Sequence, residues 1–502
     1  MKKLLCATYE GLDAKVVEVE STLTKGLPSF SIVGMASTAI TESKERVKSA
    51  LLSNDFSFPP KRITFSLAPS ELSKSGSQFD LGIALLILLN NEALDLSGWF
   101  VFGELGLDGS VKENIQLYPL LLSLANQESI QKAIVPYESL SKVSKIPNID
   151  FYAVKTLQEA GEILKNQMHS QPSYVQSKFE YPYLELATQK YYYMKEYEED
   201  FLDVKGQELA KRAALISAAG FHNMILEGSP GCGKSMIAKR LQYILAPMSS
   251  SEILDVAKLQ VLDLKEALFQ PRRNIQTVHH TATAASVFGG GSHRAKIGEV
   301  GLAHNGILFF DELPHFKKNV LESLREPMQD GKIRISRVNS KVEYPATFLF
   351  IGAMNPCPCG NLLDKHKECR CSDLEIQRYK NRLSDPFLDR IDLHVMMQEV
   401  NYEDKADFSS RELHKRVVES FVRRFQRGQS CFNAQMNDKE IELHCKLDDE
   451  VAAIMQMAIQ KYRLSFRGIT RVKKVARTIA DLENSHNIAK EHILEALSFR
   501  KR

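Results

Sequence analysis

Apolar and polar positions change their period from one segment of the chain to the next, and each segment predicts its own kind of element. Over residues 1–165, two-residue alternation in KVVEVE (15–20) and RITFSL (62–67) is interleaved with helical spacing from Ser43 to Leu52 and from Asp80 to Asn90. That mixture predicts a compact α+β domain. Residues 166–203 shift toward Gln, Ser and Tyr, with seven tyrosines from Tyr174 to Tyr197, and read as a linker with some packing onto a neighbouring domain. Short apolar strands and helices alternate over 204–400, as in a nucleotide-binding α/β domain. Over 401–502 the spacing is helical, as in VAAIMQMAIQKY (451–462) and VKKVARTIADL (472–482).

Composition narrows the classes. The 502 residues hold 44% hydrophobic and 25% charged side chains, a soluble globular balance that excludes collagen-like and wholly disordered chains. With 65 Lys and Arg against 62 Asp and Glu, the chain as a whole has no electrostatic footprint for nucleic acid, so any basic surface must be local. The longest apolar run, Leu81–Leu89, is about half of the ~20 residues that a membrane span needs. The apolar stretch behind Met1-Lys2-Lys3 is over by Ala7, too short for a signal peptide, so a cytoplasmic protein with no membrane partner is expected. Eight cysteines in such a chain argue for metal ligands or buried thiols over a disulfide framework.

The most specific motif is Gly228-Ser229-Pro230-Gly231-Cys232-Gly233-Lys234-Ser235, between an apolar strand (224–226) and a helical pattern (236–245). Glycines let the backbone curl its N–H groups toward phosphate oxygens at a helix N-terminus; Lys234 would reach the β- and γ-phosphates and Ser235 would hold Mg²⁺. ILFF (307–310) then runs into Asp311 and Glu312, a buried strand ending in two carboxylates, with Asp311 placed for Mg²⁺ and Glu312 for the attacking water. TFLFIGA (347–353) leads to Asn355, which either orients that water or simply turns the chain before Pro356. Arg390, between Asp389 and Asp392, either reaches a neighbouring subunit's γ-phosphate or pairs with its flanking aspartates.

Cys357, Cys359, Cys369 and Cys371 form C-x-C-x₉-C-x-C, two short knuckles able to close a tetrahedron around a structural Zn²⁺. His366 is an alternative ligand, and four reduced thiols the alternative state. Cys6, Cys232, Cys431 and Cys445 are isolated. Two insertions are candidates for nucleic acid. Residues 272–296 carry His279-His280, Gly289-Gly290-Gly291, Arg294 and Lys296, and the histidine pair reads as a loop feature rather than a metal site. KIRISRVNSKVEYPA (332–346) reads as a β-hairpin whose tip offers Arg337 and Lys341 to DNA phosphates. Lys461 to Arg477 adds seven basic residues and no acid.

GSPGCGKS, ILFFDEL, AMNPCPCG and LDRIDLH occur in this order, together with GLPSFSIVG (26–34), SLAPSELSKSGSQFDL (66–81) and GEVGLAHNGILFFDELP (298–314). In these residues the chain resembles the magnesium-chelatase-like AAA+ ATPases, the ComM/YifB group in particular, over nearly its whole length. The resemblance implies an α/β fold: a P-loop AAA+ core (204–400) carrying the four-cysteine zinc-binding insertion (357–371), a helical lid (401–502), and a preceding Lon-protease-like α+β domain of the ribosomal S5 domain 2 type (1–165). It makes Asn355 sensor 1, Arg390 the arginine finger and Arg467 sensor 2, with Arg471 one helical turn away on the same face. It implies ATP, Mg²⁺ and a homo-hexameric ring that drives branch migration of DNA in recombination or natural transformation, with recombination proteins as partners. The alternative is a protein-remodelling chaperone of the magnesium-chelatase type with no direct DNA action. Against the Lon protease pattern, Gln78 occupies the nucleophilic serine's place and Tyr118 the catalytic lysine's; Lys74 is the only local base near Ser75 and Ser77, so the domain reads as proteolytically inactive.

Overall fold

The computed structural model describes residues 2–167, 169–173, 179–290, 296–336, 341–364, 367–399 and 404–500. It divides into two units, one of residues 1–179, 257–269 and 336–342, the other of 180–256, 270–335 and 343–502.

In the first unit a seven-stranded mixed sheet runs in the order Ser29–Val33, Arg62–Ala68, Asp13–Thr24, Lys2–Glu10, Trp99–Val101, Lys132–Pro136, Asp150–Val154. Both alternating runs seen in the sequence are strands here, antiparallel to each other from Glu18↔Ala68 to Thr24↔Arg62. The longest apolar run is the core helix Asp80–Leu88, buried on every side from Asp80 to Ile87; a helix apolar all round belongs inside. Its one charge, Asp80, is bound by Arg46 at 2.7 Å. No helix among the described residues is long and apolar enough to cross a membrane.

The second unit is built on a five-stranded parallel sheet ordered Ile275–Val278, Ile307–Phe310, Leu349–Met354, Met224–Glu227, Leu393–Met396. Three of these strands are buried at every position, as parallel strands covered on both faces must be. The Ala-rich helix Glu208–Gly220 lies against the helix Phe466–Leu482, which also packs on Ser410–Gln426 and Lys490–Ser498. One continuous core runs from Leu226 and Phe309 through Ala214 to Val475, Ile479 and Ile493. Within the segment expected as a linker, Tyr183–Leu186 and Gln189–Tyr192 form a hairpin that continues onto Met248–Ser249. Tyr191 packs its ring against Phe421 and Phe425, at 5.2 and 5.0 Å. This unit therefore begins at about residue 180, and Tyr191 and Tyr192 within the segment are packing groups.

The helical region is pinned by Asp481, only 2% exposed. Its carboxylate accepts hydrogen bonds from Arg427 at 3.0 Å, from Asn433 at 2.9 Å and from Arg477 at 3.2 Å. Arg477 is itself 2% exposed. Replacing Asp481 by Ala strands a buried guanidinium, and we expect a loss of about 3–5 kcal/mol in urea denaturation; a loss below about 1 kcal/mol would show that solvent reaches Arg477.

Candidate nucleotide site

The glycine-rich turn follows Met224–Glu227 and feeds the helix Lys234–Leu241. Gly231 and Gly233 hold φ of 82° and 94° in open space, so conformation alone demands glycine there. Gly228 is needed for close approach: a Cβ would stand 2.7 Å from the Cys232 sulfur and 3.0 Å from Met397. Lys234 is buried, and its Nζ donates to the carbonyls of Gly228 (2.6 Å) and Ser229 (2.9 Å) and to Asn355 Oδ1 (3.1 Å). Burial pulls this ammonium below its ordinary pKa.

The sheet order puts the carboxyl ends of four strands around that lysine. Ser235 donates to Asp311 Oδ2 at 2.9 Å, while Asp311 Oδ1 accepts from the Glu312 backbone N–H, also at 2.9 Å. Glu312 sits in the left-handed region, φ 53°, and its carboxylate meets His280 Nδ1 at 3.0 Å. Lys234, Ser235, Asp311, Glu312, Asn355 and His280 all line one cavity of about 710 Å³. Asn355 thus faces Lys234 and is more than a turn residue. Ser235 and Asp311 offer neighbouring hard oxygens of the kind Mg²⁺ takes.

His280 was not anticipated as a site residue. The signal lies in strand register: Val278 pairs with Phe310, so the residues two positions beyond each strand end, His280 and Glu312, share one height. Without the sheet order, nothing in the sequence says that these two strands are neighbours.

Arg390 and Arg467 do not join this cavity. With Arg471, Lys474, Asp392 and Gln329 they line another, about 760 Å³, that shares no residue with the first. Neither flanking aspartate holds Arg390. Its guanidinium donates to the carbonyls of Arg325 (3.1 Å) and Pro386 (2.7 Å) and to Gln329 Oε1 (2.7 Å). Burial, and then the charges of Arg325, Arg467 and Arg471, depress its pKa. Arg471 is engaged by Asp392 at 2.9 Å, whereas Arg467 is exposed and makes no hydrogen bond or ion pair among the described residues.

Three of the four cysteine sulfurs stand 3.5–3.7 Å apart, and all four lie within 4.8 Å of one another. Tetrahedral zinc at about 2.3 Å from each sulfur sets S–S edges of about 3.8 Å, so the donor set fits the metal. His366 lies outside the described residues. In the expected DNA hairpin, Lys332–Ser336 pairs with Lys341–Pro345, and Glu343 neutralises the stem cations Lys332 (2.6 Å) and Arg334 (3.1 Å). Arg337 and Arg294 lie outside the described residues, and Lys341 is described by its backbone alone. Arg272, in the other insertion, is paired with Glu198 at 3.0 Å.

In the first unit, Gln78 is buried and its amide donates to the carbonyls of Ala7 (3.1 Å) and Ser75 (3.0 Å). Tyr118 is buried edge-on against Phe269. The Lys74 ammonium binds the Pro69 carbonyl, and the Ser77 hydroxyl binds Glu104.

Asp392 supplies a pH test of the second cleft. Burial opposes its charge, but Arg471, His222 and Lys474 outweigh that and hold the carboxyl down at about 2, against an ordinary 3.8. A carboxyl depressed in the folded state stabilises fully above its unfolded pKa and loses that contribution as pH falls through the folded one. The stabilisation is on the order of 2 kcal/mol at neutral pH. Asp392→Asn is expected to cost about that much at pH 7 in urea denaturation, with the gap to the original chain closing as pH falls from about 4 toward about 2; a gap independent of pH would refute the ion-pair assignment.

The profile of "Magnesium chelatase, subunit ChlI" matches residues 200–405, that of "Subunit ChlI of Mg-chelatase" matches 19–139, and the ChlI C-terminal profile matches 407–500. Competence protein ComM of Haemophilus influenzae is 37% identical, over 98% of this chain and 95% of that protein. The uncharacterized protein YifB of Salmonella typhimurium is 36% identical over the same shares of the two chains. A magnesium-chelatase 67 kDa subunit from Heliobacterium mobile matches only 30% of this chain and 27% of its own length, at 24% identity. With a parallel five-stranded sheet, a glycine-rich turn at its carboxyl edge and full-length relatives at this identity, the chain belongs to the magnesium-chelatase-like AAA+ family, in the group of ComM and YifB.

Proposed function

We propose that this chain is an ATP-driven DNA motor that works as a ring, hexameric in the simplest case, on branched intermediates of recombination or natural transformation. Family membership supports ATP and Mg²⁺, and the name of the Haemophilus relative supports competence. The observation that carries the ring is the separation of the two cavities. Lys234, Ser235, Asp311, Glu312 and Asn355 meet in one, while Arg390 and Arg467 line another with no residue in common. In this reading each chain holds two halves of a site, which closed rotational symmetry can join between neighbours.

In this reading the γ-phosphate displaces the carbonyls now held by Lys234. Mg²⁺ on Ser235 and Asp311 would neutralise charge that develops on the phosphates. Glu312, released from His280, polarises the attacking water, Asn355 orients it, and Arg390 and Arg467 of the adjoining subunit stabilise the transition state. Gly228 to Gly233 wrap the phosphates with backbone N–H groups. The hairpin tip, Arg337 and Lys341, and part of the basic run of the lid would face DNA; recombination proteins would load it. In this reading residues 1–165 are a scaffold without protease activity, the linker shortens to about 166–179 because the hairpin of 183–192 packs in the second unit, and the ATPase core, with that hairpin, runs to 400 before the lid over 401–502. Zn²⁺ on the four cysteines is structural.

Lys234→Ala and Glu312→Gln are expected to abolish DNA-stimulated ATP hydrolysis. A 1:1 mixture of Lys234→Ala and Arg390→Ala chains should regain activity, because roughly a quarter of interfaces then carry both intact halves. A mixture as inactive as its components would refute sharing between subunits. Phosphate contacts at the hairpin predict that the Arg337/Lys341 double alanine variant loses DNA stimulation yet keeps basal hydrolysis. Hydrolysis indifferent to single-stranded, duplex and branched DNA would favour the protein-remodelling alternative, which the chelatase-subunit profiles support.

A further inference from the structure

The cysteine knuckle lies against the nucleotide cavity and is tied to it at both ends. Cys357 is two residues beyond Asn355, whose side chain accepts from Lys234 at 3.1 Å. Gly360, next to Cys359, packs on Pro230 of the glycine-rich turn: a Cβ at this position would stand 2.7 and 2.8 Å from the proline ring, and φ is 84°. At the other end Ser372, next to Cys371, caps the helix Asp373–Lys380 with a full capping box. The last turn of that helix returns to the site. The Tyr379 hydroxyl faces the backbone of Asn355, and Lys380 grips Glu227 at 2.9 Å, the buried residue just before Gly228. Between these anchors the loop has no core of its own, since no described residue from Asn361 to Cys371 is buried. A polar loop without apolar burial holds a fixed shape only if something crosslinks it.

We propose that the knuckle is a metal-dependent clamp on the nucleotide site. A tetrahedral metal on the four thiolates fixes the span from Asn355 to Ser372. That span presses Gly360 onto Pro230 and sets the helix whose end holds Asn355 and Glu227. Metal loss frees the loop and loosens the phosphate cradle, so metal occupancy governs nucleotide affinity. The inference rests on the zinc and nucleotide readings above and adds a coupling between them.

The test uses the full chain as purified, stripped with a chelator, and reloaded with zinc, reading metal content by mass spectrometry and equilibrium binding of a fluorescent ATP analogue. Loaded chain should carry one zinc, stripping should weaken binding roughly 10–100-fold, and zinc should restore it. Gly360→Val keeps all four thiols; it should retain zinc and still weaken binding, because its side chain displaces Pro230. That arm decides the matter if stripping unfolds the chain. Zinc bound and removed with no change in nucleotide affinity, or a Gly360→Val chain that binds like the original, overturns the clamp alone. A chain that takes up no zinc defeats the metal reading and the clamp with it, and one whose Lys234→Ala variant binds the analogue normally defeats the nucleotide reading.

Discussion

A buried ammonium without a bonded carboxylate is the constraint around which the second unit is arranged. Lys234 is held by two carbonyls and an amide oxygen, all neutral acceptors. Taking a cation out of water costs several kcal/mol, and dipoles offset this only when they are fixed in place. Fixing them needs the close approach at Gly228, the left-handed turns at Gly231 and Gly233, and a strand end that presents Asn355. The parallel sheet supplies all of these at one edge, because its order sets the Leu349–Met354 strand directly beside Met224–Glu227. The cost of that arrangement is an acceptor set of dipoles alone, which a polyanion can replace because it adds charge–charge attraction to the same hydrogen bonds.

Much of this was legible in the sequence because it is local. A glycine-rich octapeptide between a strand and a helix, an apolar tetrapeptide ending in two acids, and four cysteines in two short knuckles each carry their meaning within a few residues. The strands KVVEVE and RITFSL and the helix at Asp80 show in periodicity for the same reason. What stayed hidden depends on which strands are neighbours. His280 gains its position from the parallel register with the Glu312 strand, and two adjacent histidines in a loop carry no trace of it. The partners of Arg390 are hidden likewise: the adjacent aspartates look natural in the sequence, but Asp392 turns to Arg471, 79 residues away. The tyrosines before residue 200 resemble linker composition because aromatic packing across a sheet has no short sequence signature.

Near-neutral net charge also takes on a different meaning. Acids are spent on cations of the same unit, buried or exposed: Asp481 on Arg427 and Arg477, Glu343 on the exposed hairpin stem, Asp80 on Arg46. In the second cleft the four cations Arg390, Arg467, Arg471 and Lys474 face three acids, Asp330, Asp392 and Asp438, and burial followed by the neighbouring arginines lowers the Arg390 pKa. A small total charge is thus compatible with strong local fields, and composition could not locate them.

The reactive groups share one further property. Each is satisfied by a partner that the proposed reaction would take away: Lys234 by carbonyls, Ser235 by Asp311, Glu312 by His280, Arg390 by carbonyls and Gln329. Exchanging one hydrogen bond for another changes free energy far less than breaking one in a dry site. These four groups thus each keep a hydrogen-bond partner without ligand, so in the proposed reaction a phosphate would exchange partners rather than desolvate bare groups. The partners concerned stand at different strand ends, His280 beyond one and Asn355 beyond another, so in the proposed reaction the exchange would act on the carboxyl edge of the sheet.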